Sequence, residues 1–216
     1  VEALRHKADG YLTGKLWTVI DKPFAGPSGD KHDYVSLASY CWPNPQTANG
    51  LPYVSRDGEI NPESYQYDRK RLDSMVAGVH TLALAYYHSG EEAYAERAAQ
   101  QLRAWFLDAP TRMNPHLQYA QMIKGKNEGS SFGIIETETL PWTLDGVALL
   151  RRSRSWSTED HRRLQQWFGD YLAWMRTSEP GRAEARADNN HGTLYDVQTV
   201  TFALFTEPVS DPLLLV

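Results

Sequence analysis

The sequence predicts an all-α fold of antiparallel helical hairpins behind a long loop-rich N-terminal segment. Three observations carry this expectation. After residue 66, apolar side chains recur at three- and four-residue spacing through most of the chain. No run alternates in the way a half-buried strand does. Before that point, residues 21–66 hold Pro23, Pro27, Pro43, Pro45, Pro52 and Pro62, with Gly26, Gly29, Gly50 and Gly58 between them. Such density of Pro and Gly prevents long helices and strands.

Each element follows from its own residues. The 21–66 segment carries Tyr34, Tyr40, Trp42, Tyr53 and Tyr65, whereas disordered segments are poor in aromatics. It therefore reads as a long ordered loop, a feature usually tied to function. Leu72, Met75, Val76, Val79, Leu82, Ala83 and Tyr86 form one apolar stripe, closed by Ser89-Gly90. Tyr94, Ala95, Ala98, Leu102, Trp105 and Phe106 form a second stripe that ends before Pro110, so the two make a helical hairpin. Residues 109–135 read as an irregular polar stretch. A third helix is expected over 137–153. Ser157 with Asp160 fits an acidic capping box for a fourth, which continues through Leu164, Trp167, Phe168, Tyr171, Leu172 and Met175. Residues 177–189 read as a polar loop, and a fifth helix is expected from Asn190 to Phe205, stopped by Pro208 and Pro212.

Composition limits the function classes. The 216 residues suit one domain, 1–216, with a substantial core. Net charge is −5, against the basic face of a general nucleic-acid binder. An anionic polymer remains possible as substrate, because a local basic cleft can sit on an acidic protein. No stretch approaches the ~20 apolar residues that cross a bilayer. Cys41 is the single cysteine, so no intrachain disulfide forms. The seven histidines make no HExxH or tight ligand set, so no metal and no cofactor is expected. There is no nucleophile elbow, phosphate loop or dinucleotide fingerprint.

Asn189-Asn190-His191 is the candidate centre. Asn offers N–H donors without charge, and a neutral imidazole is a base near neutral pH. A carboxylate held by an amide has its charge drawn off, which acidifies the carbon beside it. In a uronic-acid polymer, abstraction of that proton begins β-elimination; a Tyr or His must then protonate the leaving oxygen. Asn is also a favoured N-cap, and residue types alone favour a helix start over an active centre. Tyr195 shares a helix face with His191 and is either a hydroxyl acid or a core aromatic, with core the reading its spacing favours. The 112–127 loop offers Asn114, Gln118, Gln121, Tyr119, Lys124 and Lys126, a set that suits a sugar acid or a solvated loop. Arg56 has either an anionic substrate or its neighbours Asp57 and Glu59 to pair with. Glu136 and Glu138 could suggest a glycosidase on a helical toroid, but two residues apart they point to different sides of a helix.

The ordered series His32-Asp33-Tyr34, Tyr40-Cys41-Trp42-Pro43-Asn44-Pro45, Gly50-Leu51-Pro52-Tyr53-Val54, Arg56-Asp57-Gly58, Thr111-Arg112-Met113-Asn114-Pro115, Tyr119-Ala120-Gln121 and Asn189-Asn190-His191 resembles the alginate lyase family of α/α-toroid polysaccharide lyases. It spans roughly residues 30–205. The resemblance implies an incomplete toroid of antiparallel helical hairpins and a metal-free eliminase acting on an anionic polysaccharide in the periplasm or outside the cell. It makes Asn190 the group that neutralises the uronate carboxylate and His191 the base. Tyr34, Trp42, Arg56, Asn114 and Gln121 become candidate sugar contacts, with Lys124 beside them. The family's catalytic Tyr, with a nearby Arg, falls well downstream of the Asn-His pair. This chain is therefore expected to lack its C-terminal part and to be weakly active or inactive alone, with Tyr195 the nearby substitute. A non-catalytic carbohydrate-binding remnant and a toroid glycosidase using Glu136 are the alternatives.

Overall fold

The computed structural model describes residues 2–207. Pro208 and Pro212, expected to stop the last helix, lie outside the described residues, as does the apolar 213–216 end.

Seven α-helices dominate the described residues: α1 (Glu2–Leu12), α2 (Asp68–Ser89), α3 (Glu92–Leu102), α4 (Leu140–Leu150), α5 (Thr158–Thr177), α6 (Glu179–Glu184) and α7 (Asn190–Thr206). α2 is the centre of the bundle, packed by α1, α3 and α4, while α5 packs on α6 and α7. Paired helices of this kind are consistent with the incomplete toroid that the resemblance implies.

The expected hairpin is present. Gly90, in the left-handed region at φ 71°, donates its N–H to the Tyr86 carbonyl and reverses the chain between α2 and α3. Glycine takes that conformation without a Cβ penalty. α3 runs on into a π-helical turn, Arg103–Leu107, that buries Trp105 and Phe106. From this turn Arg103 reaches Asp160 at 2.7 Å, and Asp160 closes the capping box with Ser157 that starts α5. The expected capping box is thus also a tie between two helices.

Four expectations change. α1 lies where no helix was read, with Ala8 buried against the core. α4 is shorter than 137–153, because Pro141 belongs in a first turn; Ser131–Thr137 forms a 3-10 helix instead. The 177–189 loop contains α6, which Ser178 caps by accepting from the Gly181 N–H, with a proline in its first turn. Four short strands also exist: β1 (Val35–Leu37), β2 (Cys41–Trp42), β3 (Val54–Ser55) and β4 (Tyr119–Met122). β1 pairs with β4 in parallel, and β2 with β3 antiparallel. Two to four residues are too few to show an alternating pattern.

Most aromatics are core, as composition suggested. Phe106, Trp167, Phe168 and Phe202 pack ring to ring at 4.7–5.1 Å. Trp167 also donates its indole N–H to the Met113 carbonyl at 2.8 Å, fixing the 109–118 loop to α5. At the other side Lys22 is fully buried. Its ammonium meets the carbonyls of Val19, Lys31 and Asp33 and the Asp68 carboxylate at 2.9 Å. This pins the loop-rich segment to the start of α2.

Candidate active site

The loop segment, β4, the first turns of α2 and the start of α7 surround one cleft of ≈ 910 Å³. Its walls include Tyr40 and Tyr65 from the loops, Arg69, Lys70 and Asp73 from α2, Gln121 from β4, Phe132 beside α4, and Asn190 and His191 from α7. Rings, amides and cations of this kind suit an anionic sugar.

The α7 start is built tightly. Asn189 is the cap: its side-chain oxygen accepts the His191 N–H at 2.9 Å. Gly192 lies so close to the preceding loop that a Cβ would meet the Ala187 carbonyl oxygen at 2.1 Å. Asn190 is exposed at the positive end of α7, and His191 is half-buried beside it. Its Nδ1 lies 2.6 Å from Glu184 Oε1 at the end of α6. Glu184 is 3% exposed, and burial raises its carboxyl pKa against the opposing pull of His191.

Beneath the cleft runs a second polar network. Gln121 donates its backbone N–H to Ser36 Oγ at 2.7 Å, and Ser36 donates to Glu136 Oε2 at 2.6 Å. Tyr34 donates to the same oxygen at 2.8 Å, while Arg69 stands 3.7 Å from Oε1. Burial pushes the Glu136 carboxyl up to about 7, opposed by Ser36, Arg69 and Tyr34. Gln121 holds φ 48°, uncommon for a residue with a Cβ. Strain of that kind concentrates at functional sites.

The structure brings together three of the sequence-predicted residues, Asn190, His191 and Gln121. It moves the others away. Tyr34 has no exposed surface and is a core residue holding Glu136, so it offers nothing to a sugar. Tyr195 is buried and donates its hydroxyl to the Met175 carbonyl at 3.0 Å, in the core position that its spacing favoured and outside the cleft lining. Asn114 binds Asp33 and Asp30 at 2.7 and 3.1 Å, linking two loops away from the cleft lining. Trp42 donates to the Glu59 carbonyl and lies under the Arg56 guanidinium, 5.0 Å from it, outside the cleft lining. Arg56 is 3.9 Å from Glu59, the local partner anticipated for it. Lys124 pairs with Glu63 and lies 5.6 Å over the Tyr53 ring. Glu136 is inaccessible, so a glycosidase acid at that position has no route to a glycosidic oxygen.

Sequence reasoning missed Arg69, Lys70 and Glu184. The first two had a signal. Asp68-Arg69-Lys70-Arg71 puts three cations in a first helical turn, where the macrodipole disfavours them. Glu184 had none, because its contact with His191 depends on the fold of α6. Among the described residues, no group of three or more His, Cys, Asp or Glu side chains is arranged to hold a metal.

A crystal structure of an alginate lyase from Bacteroides ovatus matches this fold with a TM-score of 0.93 at 43% identity, over 95% of this chain and 55% of that one. The chain thus spans little more than half the length of that relative. No curated protein matches. A family model described as alginate lyase matches residues 18–208, and on that match the chain belongs to the alginate lyase family.

Proposed function

We propose that the cleft cleaves a uronate polymer of the alginate type by β-elimination without a metal. The observation that carries this is that Asn190 and His191 at the α7 start line the same cleft as Arg69 and Lys70. The Asn190 amide and the positive end of α7 neutralise the carboxylate of the bound uronate. His191 takes the C5 proton. The C4–O bond then breaks, its electron pair leaves with the glycosidic oxygen, and a C4=C5 double bond forms. The leaving oxygen needs a proton. Among the described residues, Tyr40 and Tyr65 are the cleft-lining phenols, both exposed.

The Bacteroides relative is an alginate lyase, which supports the substrate class, and the cations and rings of the cleft support an anionic sugar. Such a polymer is met outside the inner membrane, so this reading puts the protein in the periplasm or the medium. Among the described residues no helix is long and apolar enough to cross a membrane.

The test is incubation with polymannuronate, followed by ultraviolet absorbance of the unsaturated product, with and without a chelator. Weak turnover, equal in both, is expected, and Asn190→Ala/His191→Ala should abolish product while leaving polymer binding. Undiminished turnover by the double variant would refute the assignment, and loss of turnover on chelation would refute the metal-free step. The burial of Tyr195 favours a second reading, a carbohydrate-binding module of the same scaffold. That reading predicts binding without product for the unmodified chain.

A further inference from the structure

We infer that Glu184 is the positioning residue that makes His191 a base. The inference deepens the proposed elimination and rests on it for its catalytic meaning. Glu184 is a buried carboxylate at the end of α6, held 2.6 Å from His191 Nδ1. A carboxylate there accepts a hydrogen bond, so Nδ1 carries the ring proton of the neutral imidazole. The lone pair then resides on Nε2, which has no hydrogen-bond partner among the described residues. Since His191 borders the cleft, Nε2 is the nitrogen that meets substrate.

The proton balance is simple. Nε2 takes the C5 proton, the ring becomes imidazolium with both nitrogens protonated, and Glu184 keeps its hydrogen bond to Nδ1–H. The carboxylate stabilises that cation, as the Asp of a Ser-His-Asp triad does. Other charges stand near the same site. Arg69, Lys70 and Asp73 stand on the α2 wall of the same cleft, and Asp188 is on the loop before α7. The two cations disfavour an imidazolium, so Glu184 is the nearest group that offsets them. α6 exists, on this reading, to bring one carboxylate behind the base.

Long-range ¹H–¹⁵N correlation spectra of this chain give the tautomer of His191 directly and need no variant. A neutral ring protonated at Nδ1 is expected; a ring protonated at Nε2 overturns the inference. In Glu184→Gln the carboxylate that selects the tautomer is gone, so the same spectra should show a mixture of the two neutral forms. Glu184→Asp should restore the form protonated at Nδ1, and an unchanged tautomer in a folded Gln variant overturns the inference too. Where the unmodified chain turns over polymer, Glu184→Gln should lose roughly 10²-fold in kcat with little change in KM. The acid limb of its kcat/KM profile should move to lower pH, which a merely structural role would not produce. Absence of product from the unmodified chain would count against the proposed function, whereas the tautomer measurement would still decide the role of Glu184.

Discussion

Two buried carboxyls behave differently at the cleft, and the difference is a matter of partners. Glu184 has one titratable partner, His191. Glu136 accepts two hydroxyl hydrogen bonds on one oxygen and has no hydrogen bond on the other, with Arg69 at 3.7 Å. Its carboxyl is pushed up to about 7 from 4.5, so between those values the native state holds a proton that the unfolded chain has released. Stability from this residue is therefore full below about pH 4.5 and falls as pH rises toward 7. Glu136→Gln should remove that fall. Relative to the variant, the native protein should lose up to about 3 kcal/mol between pH 5 and 8 in urea unfolding; parallel curves would show that Glu136 is not the group. Tyr195→Phe tests a correction at the same scale. It should cost about 1 kcal/mol of stability through the lost bond to Met175, with elimination unaffected. Abolished elimination in a folded Tyr195→Phe would return Tyr195 to the chemistry. The Asn-His pair stood out through its place in the ordered motif series, because residue types alone favoured a helix cap there. Helical spacing already favoured a core place for Tyr195, but the burial of Tyr34 was not legible, since a phenol in a loop reads alike in a cleft and in a core.

Helices here were legible wherever caps and stripes agreed. α5 shows both, with Ser157 and Asp160 at its start and Trp167, Phe168 and Tyr171 along its buried face. α7 was placed through Asn189, whose cap bond to the His191 N–H also sets where the Asn190–His191 pair sits. Asn189→Ala should therefore cost about 1 kcal/mol in thermal or urea unfolding. A change within a few tenths would mean that Gly192 packing alone fixes the helix start. α6 was invisible because six residues show no period, and the β1–β4 pairing was invisible because it joins segments some eighty residues apart. Lys22 illustrates the same limit. Lysine is almost never fully buried, so nothing in the sequence marks it as the tie between the loop segment and α2. Lys22→Ala leaves buried Asp68 with only Arg71, 3.9 Å away, and a loss of about 3 kcal/mol is expected in denaturant unfolding.

Across the whole molecule, an acidic protein presents a cleft with cations. Net charge is −5, so long-range forces repel a polyanion, and attraction must come from charges close to it. Arg69 and Lys70 are those charges on the cleft wall, and Asp73 offsets them only in part. Arg69 is anchored from below by Glu136, and Lys70 lies 5.0 Å over the Tyr65 ring, so both cations are held by groups of the site. Screening acts on such a balance in a predictable way. Raising ionic strength from about 0.1 M to 1 M shortens the Debye length from ~10 Å to ~3 Å. That weakens the repulsion from distant acidic groups first and the contact attraction last. Binding of an oligouronate, read by calorimetry, should thus change little at moderate salt and weaken only at high salt. In Arg69→Ala/Lys70→Ala the affinity should drop by about tenfold or more, as the loss of two partly exposed charge contacts implies. The remaining weak binding of that variant should improve with added salt, because only the net repulsion is left to screen. Affinity that is unchanged in the double variant, or that falls with salt in the same way, would mean that the cleft does not hold the polymer through these cations.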